Sequence, residues 1–138
     1  MTERLEVEVT DEGYRVLDQV GIELGHLVRR FEAFAFARDR GARVHLVWER
    51  TIIGGAAVPR DFTASHGGHR AGRILPIISG DNAGGWAWFV NGVDPDTGRG
   101  GSGSGRELLK DKAVEELETA YTEFIANADK FGRQLKNG

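Results

Sequence analysis

Apolar positions in this chain change period several times. Leu5, Val7 and Val9 alternate with Glu6, Glu8 and Thr10, a period of two that predicts a short strand. From Tyr14 the spacing opens to steps of three and four: Tyr14, Leu17, Gly21, Leu24, Val28, Phe31 and Ala35, widened by Val16, Val20, Leu27 and Phe34. That stripe predicts one long amphipathic helix, capped by Thr10 or Asp11 and ending near Asp39, with Gly41 just past its end. Gly21 and Gly25 within it either admit a close neighbour or simply weaken the helix. Val44, Leu46 and Trp48 alternate with His45, Val47 and Glu49 and predict a strand over 44–53. Residues 54–72 show no period and read as a long mobile loop. Two β-prone runs follow, 74–79 and 86–90, joined by Gly, Asp and Asn as in a hairpin. After the turn signal Asp94-Pro95-Asp96 comes the tract GRGGSGSG, with the composition of a flexible linker. Leu109, Ala113, Leu117, Ala120/Tyr121, Phe124, Ala128, Phe131 and Leu135 then mark a helix over about 106–136.

These elements predict an α+β fold. A small antiparallel sheet from 44–53, 74–79 and 86–90 carries a long N-terminal helix and a long C-terminal helix. Residues 1–138 read as a single domain with flexible loops at 54–72 and 94–105.

Composition narrows the picture only in places. A chain of 138 residues with 40% hydrophobic and 28% charged side chains has the make-up of a globular domain. The net charge of −3 gives no global reason to expect nucleic-acid binding. With no cysteine, disulfides and thiolate metal sites are excluded. The acidic start MTERLEVEVTDEG does not read as a signal peptide, and no apolar run approaches the ~20 residues of a membrane span. The charge is uneven, however. Seven arginines (38, 40, 43, 50, 60, 70 and 73) fall in 38–73, while glutamates crowd the start of the last helix. Opposite patches are either a solvated surface or a means for copies to dock head to tail.

Candidate chemistry is sparse. His66 and His69 in H-G-G-H lack a third ligand and a fixed backbone, so no metal is expected there. Gly101, Gly103 and Gly105 precede a helix, but neither the dinucleotide fingerprint nor G-K-[ST] is present, and no cofactor is expected. There is no G-x-S-x-G, and Ser65 beside His66 is no catalytic pair, so no catalytic residue is assigned. Trp86, Trp88 and Val90 share a strand face that reads as a covered core face.

The pieces LEVEVTDEGYRVLDQV, GGHRAGRILPII, GGWAWFVNGVDP and RELLKDKAVEELETA, in that order, resemble the small tail-completion (head–tail joining, neck) proteins of long-tailed bacteriophages, with Asn91 where such proteins carry an acid. The resemblance implies a non-enzymatic virion protein that forms a homo-oligomeric ring at the head–tail junction and assembles in the host cytoplasm. Its implied partners are copies of itself, neighbouring neck or tail-tube proteins, and DNA passing through the lumen without sequence readout; no membrane is implied. In such a ring, loops 54–72 and 94–105 are the expected contact arms. Val58 and Phe62 would be their apolar anchors. Arg60, Arg70 and Arg73 would face Glu115, Glu116 and Glu118 of a neighbour. The other readings of the same chain are a small intracellular binding or regulatory domain, such as a toxin-neutralising protein, and a metal-dependent nuclease.

Overall fold

The computed structural model describes residues 2–128. The order is β1 (Arg4–Thr10), β2 (Gly13–Leu17), β3 (Glu23–Leu27), α1 (Arg30–Asp39), β4 (Arg43–Val44), β5 (Val47–Ile53), β6 (Ala56–His66), β7 (His69–Pro76), β8 (Trp86–Val90), β9 (Ser104–Glu107) and α2 (Lys110–Ala126). The fold is α+β, with two helices and two sheets among the described residues. The chain separates into two compact units. One holds described residues 2–45, Asp94–Arg99 and 118–128, and the other Leu46–Val93 and Gly100–Leu117.

In the first unit, β1, β2 and β3 form an antiparallel meander and β4 joins β1 in parallel, giving the order β3-β2-β1-β4. Its core holds Leu5, Val16, Phe34, Val44, Tyr121 and Ile125, all essentially inaccessible to solvent. Burying each such side chain is worth about 1.5–3 kcal/mol. Phe34 and Tyr121 meet edge to face at 5.8 Å. Arg30 lies over both rings and donates to the Tyr121 hydroxyl at 3.0 Å. Burial pushes the Tyr121 hydroxyl's pKa up, against the pull of Arg30.

The long N-terminal helix is not there. Residues 13–27 form a β-hairpin, and α1 is a ten-residue internal helix that starts at Arg30. The reason is local. The Asp18 carboxylate accepts hydrogen bonds from the amides of Val20 and Ile22 at 3.0 and 2.9 Å, making a turn that competes with helix. Gly21 takes φ +90 in that turn, and the β-branched residues around it favour extended backbone. Val20 and Val28, assigned to the inner stripe of a helix, are instead exposed. The end of the helix is as expected: Gly41, at φ +76, follows it and donates to the Arg38 carbonyl.

The second unit is an antiparallel meander, β5-β6-β7-β8-β9 in sheet order. Its expected strands at 44–53, 74–79 and 86–90 are present as β5, the second half of β7, and β8, while Val44 belongs to β4 of the other sheet. The expected mobile loop at 54–72 is instead strand β6 and the first half of β7. Gly54-Gly55 and Gly67-Gly68 make its tight turns with φ of +58, +82 and +57, +81, the pattern of two-residue hairpins in the primed turn class. The tract 94–105 is likewise no free linker. The Asp94 carboxylate accepts from the Asp96 amide and the Thr97 hydroxyl. Gly101 donates to the Gly92 carbonyl, and Ser104 and Gly105 lie in β9. Backbone pairing orders this glycine-rich stretch where side chains have nothing to contribute.

Helix α2 buries Ala113, Leu117 and Tyr121 as the stripe predicts, and Ala128 just past its end is buried too, but Leu109 precedes the helix and is exposed. Phe131, Leu135 and the expected helix end at Lys136 lie outside the described residues. No helix among the described residues is long and apolar enough to cross a membrane.

Candidate functional site

Strand alternation gives the five-stranded sheet two unlike faces. One carries Phe62, Ala64, Ile74, Trp86, Trp88 and Val90 and packs on the first part of α2. Gly72 lies on this face, where an added Cβ would stand 2.9 Å from Leu117 and 2.2 Å from the Phe89 carbonyl oxygen. Gly105 leaves room for the indole of Trp88, since a Cβ there would fall 2.5 Å from its Nε1. Trp86 is buried and Trp88 half-buried, as expected of a covered face.

The other face carries Thr51, Asp61, Thr63, Arg73, Leu75, Phe89 and Ser104. Here Arg73 grips Asp61 with two parallel bonds, Nε to Oδ1 at 2.7 Å and an Nη to Oδ2 at 2.5 Å. Thr51 donates to the same carboxylate at 2.6 Å and lies 2.8 Å from the Thr63 hydroxyl. The Arg73 bonds hold the Asp61 carboxyl below its ordinary pKa, against burial and with help from Thr51. The same pair raises the Arg73 guanidinium. Beside this clamp lies an open cleft of about 640 Å³, lined chiefly by Arg73, Leu75, Phe89, Val90, Gly101 and Ser102. Phe89 is 41% exposed. Charge at the cleft is balanced, because its one cationic lining residue is already paired.

The second feature of this unit is an arm. β6 pairs with β7 only from Phe62 onward, whereas its pairing with β5 continues to Ala56. Beyond the Arg50–Phe62 pair, Ile52 and Ile53 pair with Ala57 and Ala56 to form a hairpin tip reaching about 10 Å along β5 at ~3.3 Å per residue, while 58–61 bulge opposite Thr51. A register shift in β5 between Arg50 and Ile52 and a positive φ of +59 at Arg60 mark its base. Its outer part, IIGGAAVP, has no charged or polar side chain, and Ile52 and Ile53 are 60% and 58% exposed.

The expected contact residues fall in different places. Val58 and Arg60 are on the arm, and the Arg60 guanidinium lies 5.3 Å from the Trp86 ring. Phe62 is used within the unit, 6.5 Å from Trp86 with Lys110 Nζ 3.9 Å over its ring. Arg70 is exposed on β7, while Arg73 is committed to Asp61. Glu115 and Glu116 meet Lys112 on their own helix at 3.5 and 3.1 Å. Glu118 is a correction: it is not on the surface for a neighbour but fully buried, bound by Arg4 and Arg43 at 2.6 and 2.8 Å. Thr122 and Ile125, buried one and two turns on, carried the signal that Glu118 shares their inner face. Ile52 and Ile53 were not singled out, although Gly-Gly between apolar runs marks a hairpin tip.

His66 and His69 stand opposite each other across the Gly67-Gly68 turn, the first buried and the second exposed. No group of three or more potential metal ligands occurs among the described residues. Comparison with known protein families, curated proteins and solved structures finds no match to this chain.

Proposed function

We propose that this chain is a structural subunit, not an enzyme, that closes into a homo-oligomeric ring. The setting is the one its sequence resemblance suggests: the head–tail junction of a tailed bacteriophage. There it would meet neck or tail-tube proteins around DNA that passes without sequence readout. The reading stands on one observation, the hairpin arm of residues 52–59 with exposed Ile52 and Ile53. A charge-free two-stranded ribbon that leaves its own sheet exposes apolar surface that only a partner can cover. The hairpin of β7 and β8 and the helix after a glycine-rich stretch are the parts of the resembling pattern that the fold retains; the long N-terminal helix is not. The open cleft beside Phe89 favours the second reading, a small binding domain.

Sedimentation velocity of the full chain over a wide concentration range, with negative-stain imaging of the largest species, tests the proposal. Closed rings of one size are expected. A chain that stays monomeric throughout, alone and with purified tail tubes added, would turn the assignment over to the binding-domain reading.

A further inference from the structure

We infer that the arm of one copy seats in the cleft of the next. The inference rests on the ring reading above and adds which surfaces meet. Both features belong to the five-stranded unit, and they lie at opposite ends of it. The arm leaves β5 and β6, at the end of the sheet where Pro76 pairs with Trp86. The cleft gathers around Phe89, Val90 and Gly101–Ser102, toward the opposite end of β8. Between β6 and β9 there are three strand spacings, about 14 Å, and the arm points away from the cleft. A copy therefore cannot fill its own cleft, and a contact between unlike surfaces of identical chains propagates from copy to copy until it closes.

The chemistry of the two surfaces matches. The outer arm is apolar, uncharged and slender, with Gly54-Gly55 at its tip and Ala56 and Ala57 behind Ile53 and Ile52. The cleft offers Leu75 and Phe89 beside the polar Asn91, Ser102 and Ser104, and its Arg73 is neutralised by Asp61. An incoming apolar ribbon therefore meets no unpaired charge there. The volume of about 640 Å³ takes a few side chains, the size of a hairpin tip and not of a folded domain. The left-handed backbone at Arg60 sets the angle at which the arm leaves, a strained position of the kind kept where geometry matters.

The test uses two full-length variants. Ile52→Lys/Ile53→Lys has a spoiled arm and an intact cleft; Phe89→Lys has the reverse. All three positions are exposed, so both variants fold, as near-ultraviolet circular dichroism will verify. Each alone is expected to need at least about tenfold more protein for half-assembly, the equivalent of 1.4 kcal/mol. Mixed in equal amounts, they are expected to give one-to-one dimers and nothing larger, since one good arm meets one good cleft and the chain of contacts stops. A second measurement does not depend on these charges. The chain has no native cysteine, so Ile53→Cys/Ser102→Cys is expected to form a ladder of disulfide-linked oligomers on oxidation, while each single variant gives dimers at most. Variants that assemble like the parent, with no cross-linked ladder, overturn the arm-in-cleft contact and leave the ring reading standing. A parent chain that never assembles, with an Ile53→Cys/Ser102→Cys variant that never cross-links, overturns both. Binding of the parent to phosphatidylcholine vesicles, lost in Ile52→Lys/Ile53→Lys without any oligomer, assigns the arm to a membrane surface and overturns the inference.

Discussion

Glu118 and Asp61 are both buried carboxylates held by arginine, and they differ in what their loss would do. Glu118 has no solvent exposure and receives Arg4 on one side and Arg43 on the other, at 2.6–2.9 Å. Removing it leaves two guanidinium groups facing a site without their counter-charge. Breaking a buried pair in this way costs about 3–5 kcal/mol. Glu118→Ala is therefore expected to lower the urea midpoint by that amount of stability, far more than Glu116→Ala, whose partner Lys112 is half-exposed. Asp61 is open to titration. Its folded carboxyl lies below the ordinary value of 3.8 because Arg73 binds the charged form. A depressed carboxyl contributes stability that is complete above the unfolded value and is lost as pH falls through the lower folded value. Acid unfolding of the parent should thus include a loss below about pH 4 that Asp61→Asn lacks, read as a flatter stability curve in that window by denaturant melts. Neither partner was visible in the sequence: Glu118 meets Arg4 across 114 positions, and nothing local announces the pair.

At the scale of elements, the strands β5, β7 and β8, the turn at Asp94 and the buried stripe of α2 were legible because each rests on local chemistry. The failures share one cause: a period that two structures can satisfy. In residues 13–28, Tyr14, Leu17, Leu24 and Val28 fit a helical stripe, yet Asp18 and Gly21 provide a turn in the middle, and the two strands then pair Tyr14 with Leu27. In residues 54–72, small residues and glycines suppressed the alternation, while the two Gly-Gly turns that define the hairpins passed for disorder. The arm that results has a measurable signature. Residues 62–65 of β6 are flanked on both sides, by β5 and β7, but Ala56 and Ala57 have β5 alone and 58–60 pair with neither strand. Amide hydrogen exchange should therefore be much faster at 56–60 than at 62–65 within this one strand, because a two-stranded ribbon opens without disturbing the sheet. Equal protection along β6 in the isolated chain would mean that the arm is already covered.

For the whole molecule, two mechanisms of self-association make opposite forecasts about salt. The charge pattern of the sequence suggested basic arginines meeting a neighbour's acidic helix. The structure commits Arg73 to Asp61, buries Glu118, and sets Glu115 and Glu116 against Lys112. Of the arginines expected to face a neighbour, Arg60 and Arg70 stay exposed, and exposed pairs contribute only about 0–1 kcal/mol each. Ile52 and Ile53 have more to offer, since full burial of such side chains is worth about 1.5–3 kcal/mol apiece. Screening falls on the two contributions unequally. Between 0.1 M and 1 M salt the Debye length drops from about 10 Å to about 3 Å, which removes most attraction between exposed charges and leaves apolar burial untouched. Strongly excluded salts such as sulfate even strengthen apolar burial. If the arm holds the copies together, the assembled fraction at fixed protein concentration should stay level from 0.1 M to 1 M sodium chloride and rise in ammonium sulfate. Light scattering at a series of salt concentrations reads this directly. Dissociation by 1 M sodium chloride would return the contact to the arginines and acidic helix, with the apolar arm as a bystander.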